Sequence, residues 1–504
     1  MIQLSKNSWR STSLTVIYAI LSIFTVLIAT PSNVAFAADS AIDASFGTSG
    51  FTIGGTQSAG GINAIATDSL GRIVAGGSVS NGGGSFITVS RYLSNGSVDT
   101  SFGINGFTTL ASLGGTYDQI NALAIDSSDR IIAAGYDTFA NNQGYNIVLM
   151  RFTTGGVLDT TFGTNGVVKS SISGASLYGG ILNALVIDSS GRIIVGGFTT
   201  GPYKFLLARY TSAGVLDNTF GSSGYTTTTP GSTTDAIFSL ALDGDGKILA
   251  AGESIGGSGY RFAIGRYSAN GIIDTTYGTS GFNTSTAGAQ DKISSIKLDS
   301  AGRVVAGGNS LIAGVNKFTV ARYTTSGSLD TSFGTNGFNT TTPGTDDRIS
   351  SISIDSRGRI LAGGRSKVSG SFKFTVARYT ATGAVDGMFG TNGFDLTTPT
   401  NATGGISALL LDSEGKIVVG GSSTVTQSDW TIGRFANPEH TLGSVCFDNS
   451  STRSYIDLLS AENAVGTGDY TLEMWVKLPS GAPVSTLVNG HSVHNGSNTF
   501  SLFN

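Results

Sequence analysis

The sequence predicts an all-β fold: a seven-bladed β-propeller closed by its own N-terminal strand, plus a truncated β-sandwich (jelly roll) segment. Three observations predict it. First, VDTSFGINGF (98–107) returns in close copies at 42–51, 158–167, 216–225, 273–282, 329–338 and 385–394, its aromatic recurring at steps of 56–60 residues through seven copies. Second, every unit carries two further marks. One is an Asp before a turn and a base (Asp68, Asp126, Asp188, Asp243, Asp299, Asp355, Asp412), the other an Arg-aromatic pair that runs from Arg91-Tyr92 to Arg434-Phe435. Third, the two ends complement each other: Arg434-Phe435 is followed by Ala-Asn-Pro-Glu and no LDTSFG-like strand, whereas 42–51 is such a strand with no unit before it. The N-terminal segment thus supplies the last blade's missing fourth strand and leaves no open edge.

Within one unit four strands are expected. QINALAI (119–125) alternates small and large apolar residues with a period of two, which fits a strand with unlike faces. A polar turn through Asp126 and Arg130 leads into 131–135, and 146–152 runs into the Arg-aromatic pair. The stretch 158–168, broken by its glycines, is read as the fourth strand. Four short antiparallel strands per ~57 residues is the content of a propeller blade. An open solenoid would need a polar capping repeat, and none is evident.

Composition agrees. Glycine makes up 73 of 504 residues and charged residues 12%, about twice and half the usual shares. A net charge of −4 gives no basic footprint for nucleic acid. Fourteen of the 29 Lys and Arg sit at the turn base or the Arg-aromatic pair, and 14 of the 33 acids at the turn Asp or three residues before the repeat's aromatic. Nearly half the charge is therefore tied to the repeat. Ahead of it, Lys6 and Arg10 precede an apolar run that ends in Val34-Ala35-Phe36-Ala37, the pattern of a cleavable signal peptide. Residues 1–37 are read as that signal, so no membrane span is expected after cleavage, and 38–436 as a monomeric propeller ring. The single cysteine, Cys446, lies outside it, so packing and not disulfides stabilises the ring.

The motifs LDTSFGTNGF, LDSxGRIVAGG and FTVARYT resemble the delta-60 repeat family of exported bacterial proteins, over about four fifths of the chain. The resemblance implies a propeller-like array and no established activity. Beyond a linker at 437–443, Phe447-Asp448, Tyr455-Ile456 and YTLEMWVK (470–477) resemble the opening of a laminin-G-like or concanavalin-like domain. Residues 444–504 are too few to bury both inner faces of such a sandwich. That resemblance implies glycan or surface-protein binding, often aided by calcium.

Chemistry is sparse. His440, His491 and His494 all lie outside the repeats, so the ring offers no imidazole base, and catalysis is not expected. Asp243-Gly-Asp-Gly246 lacks the later ligands of an EF-hand and is read as a turn; the Arg of the Arg-aromatic pairs are read as a repeated structural bond. Eight residues before the turn Asp, four blades carry Asp118, Asp235, Asp291 and Asp347. If the first strands line the channel, these form an acidic arc at its mouth, suited to a cation such as calcium or to sugar hydroxyls; the plainer reading is that Asp begins these strands simply as a loop residue. The expected role is an exported, secreted or cell-surface protein that binds a glycan or a surface protein through its variable loop face. The alternative is a polysaccharide hydrolase or lyase with Asp235, Asp291 and Asp347 as acid and base.

Overall fold

The computed structural model describes residues 42–438 apart from 55–58, 81, 140–143, 171–178, 232–233, 258, 400–401 and 425–426, together with 445–449 and 452–456. The chain divides into one compact unit over 40–437 and a second that joins 1–39 to 438–504. Of the second unit the described part is a hairpin, Val445–Asn449 paired antiparallel with Thr452–Ile456. The signal-peptide reading and nearly all of the sandwich reading fall outside the described residues.

The larger unit is a seven-bladed β-propeller. In blade two, Asp118–Ile125, Ile131–Thr138, Tyr145–Phe152 and Val167–Ser170 lie side by side in chain order. Blades one and three to six repeat this from Ala59, Gly180, Asp235, Asp291 and Asp347. In blade seven the order is Thr403–Leu411, Ile417–Thr424, Ser428–Phe435 and then Phe51–Ile53, with Phe51 opposite Gly433. The first strands of successive blades lie against one another, blade seven against blade one included, and so surround the axis. Apolar clusters fill each gap between blades; the one between blades seven and one joins Ile62, Ile73 and Tyr92 to Val418, Trp430 and Ile432.

The fourth strand is shorter than the expected 158–168. It begins at Val167, and Leu158 makes only an isolated bridge to Phe152. Between them Gly163, Asn165 and Gly166 take positive φ of 53°, 53° and 91°, which no extended strand accommodates. Asp159 Oδ1 accepts the Thr161 amide at 3.1 Å and its hydroxyl at 2.6 Å. The stretch therefore folds into a knob that drives Phe162 to full burial.

That knob explains the Arg-aromatic pair. Arg151 Nε meets Asp159 at 2.8 Å, its guanidinium stands 4.9 Å over the Phe162 ring, and Nη1 donates to Ser212 O in the next blade. The expected structural bond is thus a latch with three arms, and each blade has one. For Arg434 the partners are Asp43 at 2.9 Å, the Phe46 ring at 4.9 Å and Ser94 O at 2.8 Å. Asp43 and Phe46 belong to the N-terminal stretch. In blade six, Arg378 would reach a third-to-fourth-strand turn of blade seven, which the chain does not provide. Instead its Nη1 donates to Asn437 Oδ1 at 3.1 Å. An Asn side chain stands in for the turn carbonyl.

Candidate binding site at the channel mouth

The four candidate aspartates begin their first strands, and they do not form an open arc. Asp118 is 1% exposed and Asp235, Asp291 and Asp347 are 0% exposed. Each is folded under the loop that leads into its own blade. Asp235 Oδ1 accepts the Gly231 amide at 3.2 Å; Asp291 accepts those of Ala287 and Gly288 at 3.0 Å; Asp347 lies beside Gly344 and Ser366. Burial pushes all four carboxyls up. All four carboxylates are thus enclosed by their own loops and do not face the mouth openly. Among the described residues no group of three or more His, Cys, Asp or Glu is placed to hold a metal.

In blade two the residue across from the aspartate is a second carboxylate, Asp137, also 0% exposed and ion-paired to Lys169. Burial first, and the neighbouring Asp137 second, hold the Asp118 carboxyl far above its ordinary 3.8; the Leu113 amide and Lys169 only partly oppose this. A carboxyl raised by folding contributes stability that is present below its unfolded pKa and is lost as pH rises through the folded one. Asp118→Asn is therefore expected to flatten that loss and to melt a few degrees above the wild type at pH 8, with the order reversed or equal at pH 4. Melting curves at the two pH values check this; parallel curves would show that Asp118 does not titrate as argued.

One step along the same strands the side chains turn to the opposite face. The residue after the Asp position and its partner on the second strand form a ring of seven pairs of six kinds, blades one and seven sharing Gly/Ser. In blade order they are Gly61/Ser78, Gln119/Tyr136, Ile181/Phe198, Ala236/Glu253, Lys292/Asn309, Arg348/Arg365 and Gly405/Ser422. This register position varies from glycine to arginine. Two backbone features hold it. A β-bulge follows at the fourth residue from the Asp position in every blade, occupied by Asn63, Asn121, Asn183, Phe238, Ser294, Ser350 and Ser407; bulges re-aim neighbouring side chains. The second strand also carries a glycine that no other residue can replace. A Cβ on Gly308 would sit 1.8 Å from Lys292 O, and one on Gly364 2.0 Å from Arg348 O.

Blades five to seven leave a cavity of about 260 Å³ there. Lys292, Arg348 and Arg365 line it, with Asn309, Ser294, Ser350, Ser407 and Ser422. Lys292 Nζ stands 3.6 Å over the Phe238 ring and the Arg365 guanidinium 4.7 Å over Phe372. Arg348 is steadied by a polar chain: its Nε meets Asp346 Oδ1 at 3.2 Å, Asp346 accepts Asn316 Nδ2 at 3.0 Å, and Asn316 accepts Asn309 Nδ2 at 3.3 Å. Burial holds Lys292 below its ordinary value, Glu253 opposing and Arg348 reinforcing the shift. Arg365 is lowered likewise by burial and then by Arg348, against Asp346.

The sequence reading stopped one residue short of this cluster. Lys292 and Arg348 each directly follow a candidate Asp, 56 residues apart, and neither belongs to the bases that the repeat fixes. Across the mouth from them, blades two and three carry aromatics: Tyr136 with Tyr145 at 5.4 Å, and Phe198 with Tyr203 at 5.8 Å.

Several solved structures are similar to the chain at low identity. Sqt1 from Chaetomium thermophilum is 14% identical, with a TM-score of 0.43 over 80% of this chain and 99% of that one. A PL25 ulvan lyase bound to -[GlcA(1-4)Rha3S]- is 11% identical, with a TM-score of 0.45 over 76% and 96%. YCF48 from Cyanidioschyzon merolae is 12% identical, with a TM-score of 0.37 over 76% and 98%. Likeness at this level says nothing of a ligand. Among curated proteins none matches the chain. A family model does, at residues 71–102, 127–162, 189–220, 244–277, 302–333 and 358–389, and between residues 71 and 389 the chain carries the repeats of the β-propeller domain of unknown function DUF5122.

Proposed function

We propose that this is an exported, non-catalytic binding protein that recognises carbohydrate at or outside the cell surface through the mouth of its propeller channel. The observation that carries the reading is the ring of seven pairs, of six kinds, on a scaffold whose latch and turn residues repeat. Repetition preserves what folding requires, and variation confined to one rim is what a binding face looks like. The rim combines aromatic rings with cations and hydroxyls, a mixture suited to sugar faces and their polar substituents. In this reading residues 1–37 direct export, the N-terminal stretch closes the ring as the fourth strand of blade seven, and 444–504 contribute a second, lectin-like recognition element.

The experiment is a glycan-binding screen of the purified chain, run with calcium and with a chelator. Saturable binding to a carbohydrate is expected, unchanged by the chelator, because the rim is built from bases, amides and aromatics. No binding by well-folded protein would overturn the reading. Chelator-sensitive binding would move recognition away from the rim.

A further inference from the structure

We infer that the cavity between blades five and seven is a binding site for an oxyanion, a sulfate ester or a carboxylate, carried by the ligand. Identifying that group as part of a glycan rests on the preceding reading; the oxyanion site itself does not.

Three cations, Lys292, Arg348 and Arg365, share one concavity, and the carboxylates beside them, Asp346 and Glu253, are two. Like charges held together oppose folding, and nothing in the blade pattern demands them. The five other blades meet the same register position with Gly/Ser, Gln/Tyr, Ile/Phe, Ala/Glu and again Gly/Ser. A guanidinium stacked on a ring, as Arg365 is on Phe372, keeps its N–H donors in its own plane, where a carboxylate or sulfate takes two at once. Arg348 is held from behind by Asp346. Serine hydroxyls from the bulges of three successive blades, Ser294, Ser350 and Ser407, add neutral donors on the floor. At about 260 Å³ the cavity falls a little below the ~300 Å³ lower end of small-molecule pockets. It takes a charged group and leaves the rest of the ligand on the rim.

The test uses the whole chain and measures equilibrium binding of four size-matched probes: a sulfated oligosaccharide, a uronate oligosaccharide, a neutral one, and polyglutamate. Variants Arg365→Met and Lys292→Met are carried in parallel. Acidic glycan is expected to bind at least about tenfold more tightly than neutral, each variant is expected to lose about tenfold of that affinity, and added salt is expected to weaken the wild type. Arg365→Met is expected to melt no lower than the wild type, since it relieves repulsion from Arg348, and melting curves of both variants separate lost binding from lost folding. Which acidic glycan wins distinguishes sulfate from carboxylate. Polyglutamate binding that needs Arg365, with no glycan bound, supports the oxyanion site while removing the carbohydrate reading. Equal binding of neutral and acidic glycans by wild type and both variants overturns the site and leaves carbohydrate recognition standing. No binding of any probe overturns both.

Discussion

Deletion of residues 39–51 is expected to abolish cooperative folding of the propeller. The deleted stretch carries Phe46, 0% exposed beneath Arg434, and Phe51, 5% exposed and packed edge-on against Phe374 and Phe435 at 6.1 Å each. Losing a buried Phe costs about 3–5 kcal/mol. The deletion also strips Arg434 of Asp43 at 2.9 Å and leaves Lys416 without its 3.1 Å contact to the same carboxylate. Arg434 keeps Asp412 at 3.6 Å and Lys416 keeps Glu414 at 3.0 Å, so the lost pairs add less than the ~3–5 kcal/mol of a buried charge left unpaired. The total, on the order of 10 kcal/mol, is comparable to the whole stability of a domain, about 5–15 kcal/mol. Denaturant unfolding followed by tryptophan emission reads it directly, because Trp430 lies in the cluster between blades seven and one. Single substitutions sharpen the test. Phe220→Ala removes the same knob residue inside blade three, where Arg209 covers it at 5.0 Å. If the N-terminal stretch serves as a true fourth strand, Phe46→Ala costs as much as Phe220→Ala; a Phe46→Ala protein as stable as the wild type would sink the closure.

The fold was legible because every repeated mark in the sequence is one end of a bond. Arg151, Asp159 and Phe162 recur together since they touch one another, and the turn Asp recurs since Asp126 accepts the Arg130 amide at 3.0 Å and its Nε at 2.8 Å. The fourth strand was misjudged for a local reason. Apolar residues flank Thr164-Asn165-Gly166 on both sides and suggest continuity, but backbone at positive φ interrupts it. At the mouth the plainer reading, Asp as a loop residue, is the one that burial supports, and the cluster beside it was not legible. Spacing gives the period of a strand and not the direction of a side chain, so Asp291 and Lys292, neighbours in sequence, face opposite ways: one under the loop, the other into the cavity. An Asp present in four blades at one position is what a loop-holding role produces, whereas the residues of the cavity are those that the repeat does not dictate.

Arg209→Met is expected to destabilise the propeller by about 3–5 kcal/mol, the usual cost of removing one partner from a buried ion pair. Its side chain is 1% exposed. Nε meets Asp217 at 2.8 Å, Nη2 meets Thr219 at 3.1 Å, and Nη1 crosses to blade four, to Ala269 O at 2.5 Å and Asn270 Oδ1 at 3.2 Å. Met fills much of the volume over Phe220, so the loss reports the bonds more than the packing. Arg209→Lys is expected to recover little, because an ammonium at one point cannot serve three arms that a planar fork reaches together. Arg209→Met combined with Asp217→Asn separates the pair from the interblade bond. Neutralising the stranded carboxylate returns part of the loss, since Asp217 otherwise faces no cation, and what is not returned belongs largely to the contact with blade four. Chemical denaturation of the wild type, Arg209→Met, Asp217→Asn and the double variant closes the cycle. A double variant as stable as the wild type would mean that the latch contributes nothing across the blade boundary, and that the apolar clusters alone hold adjacent blades together.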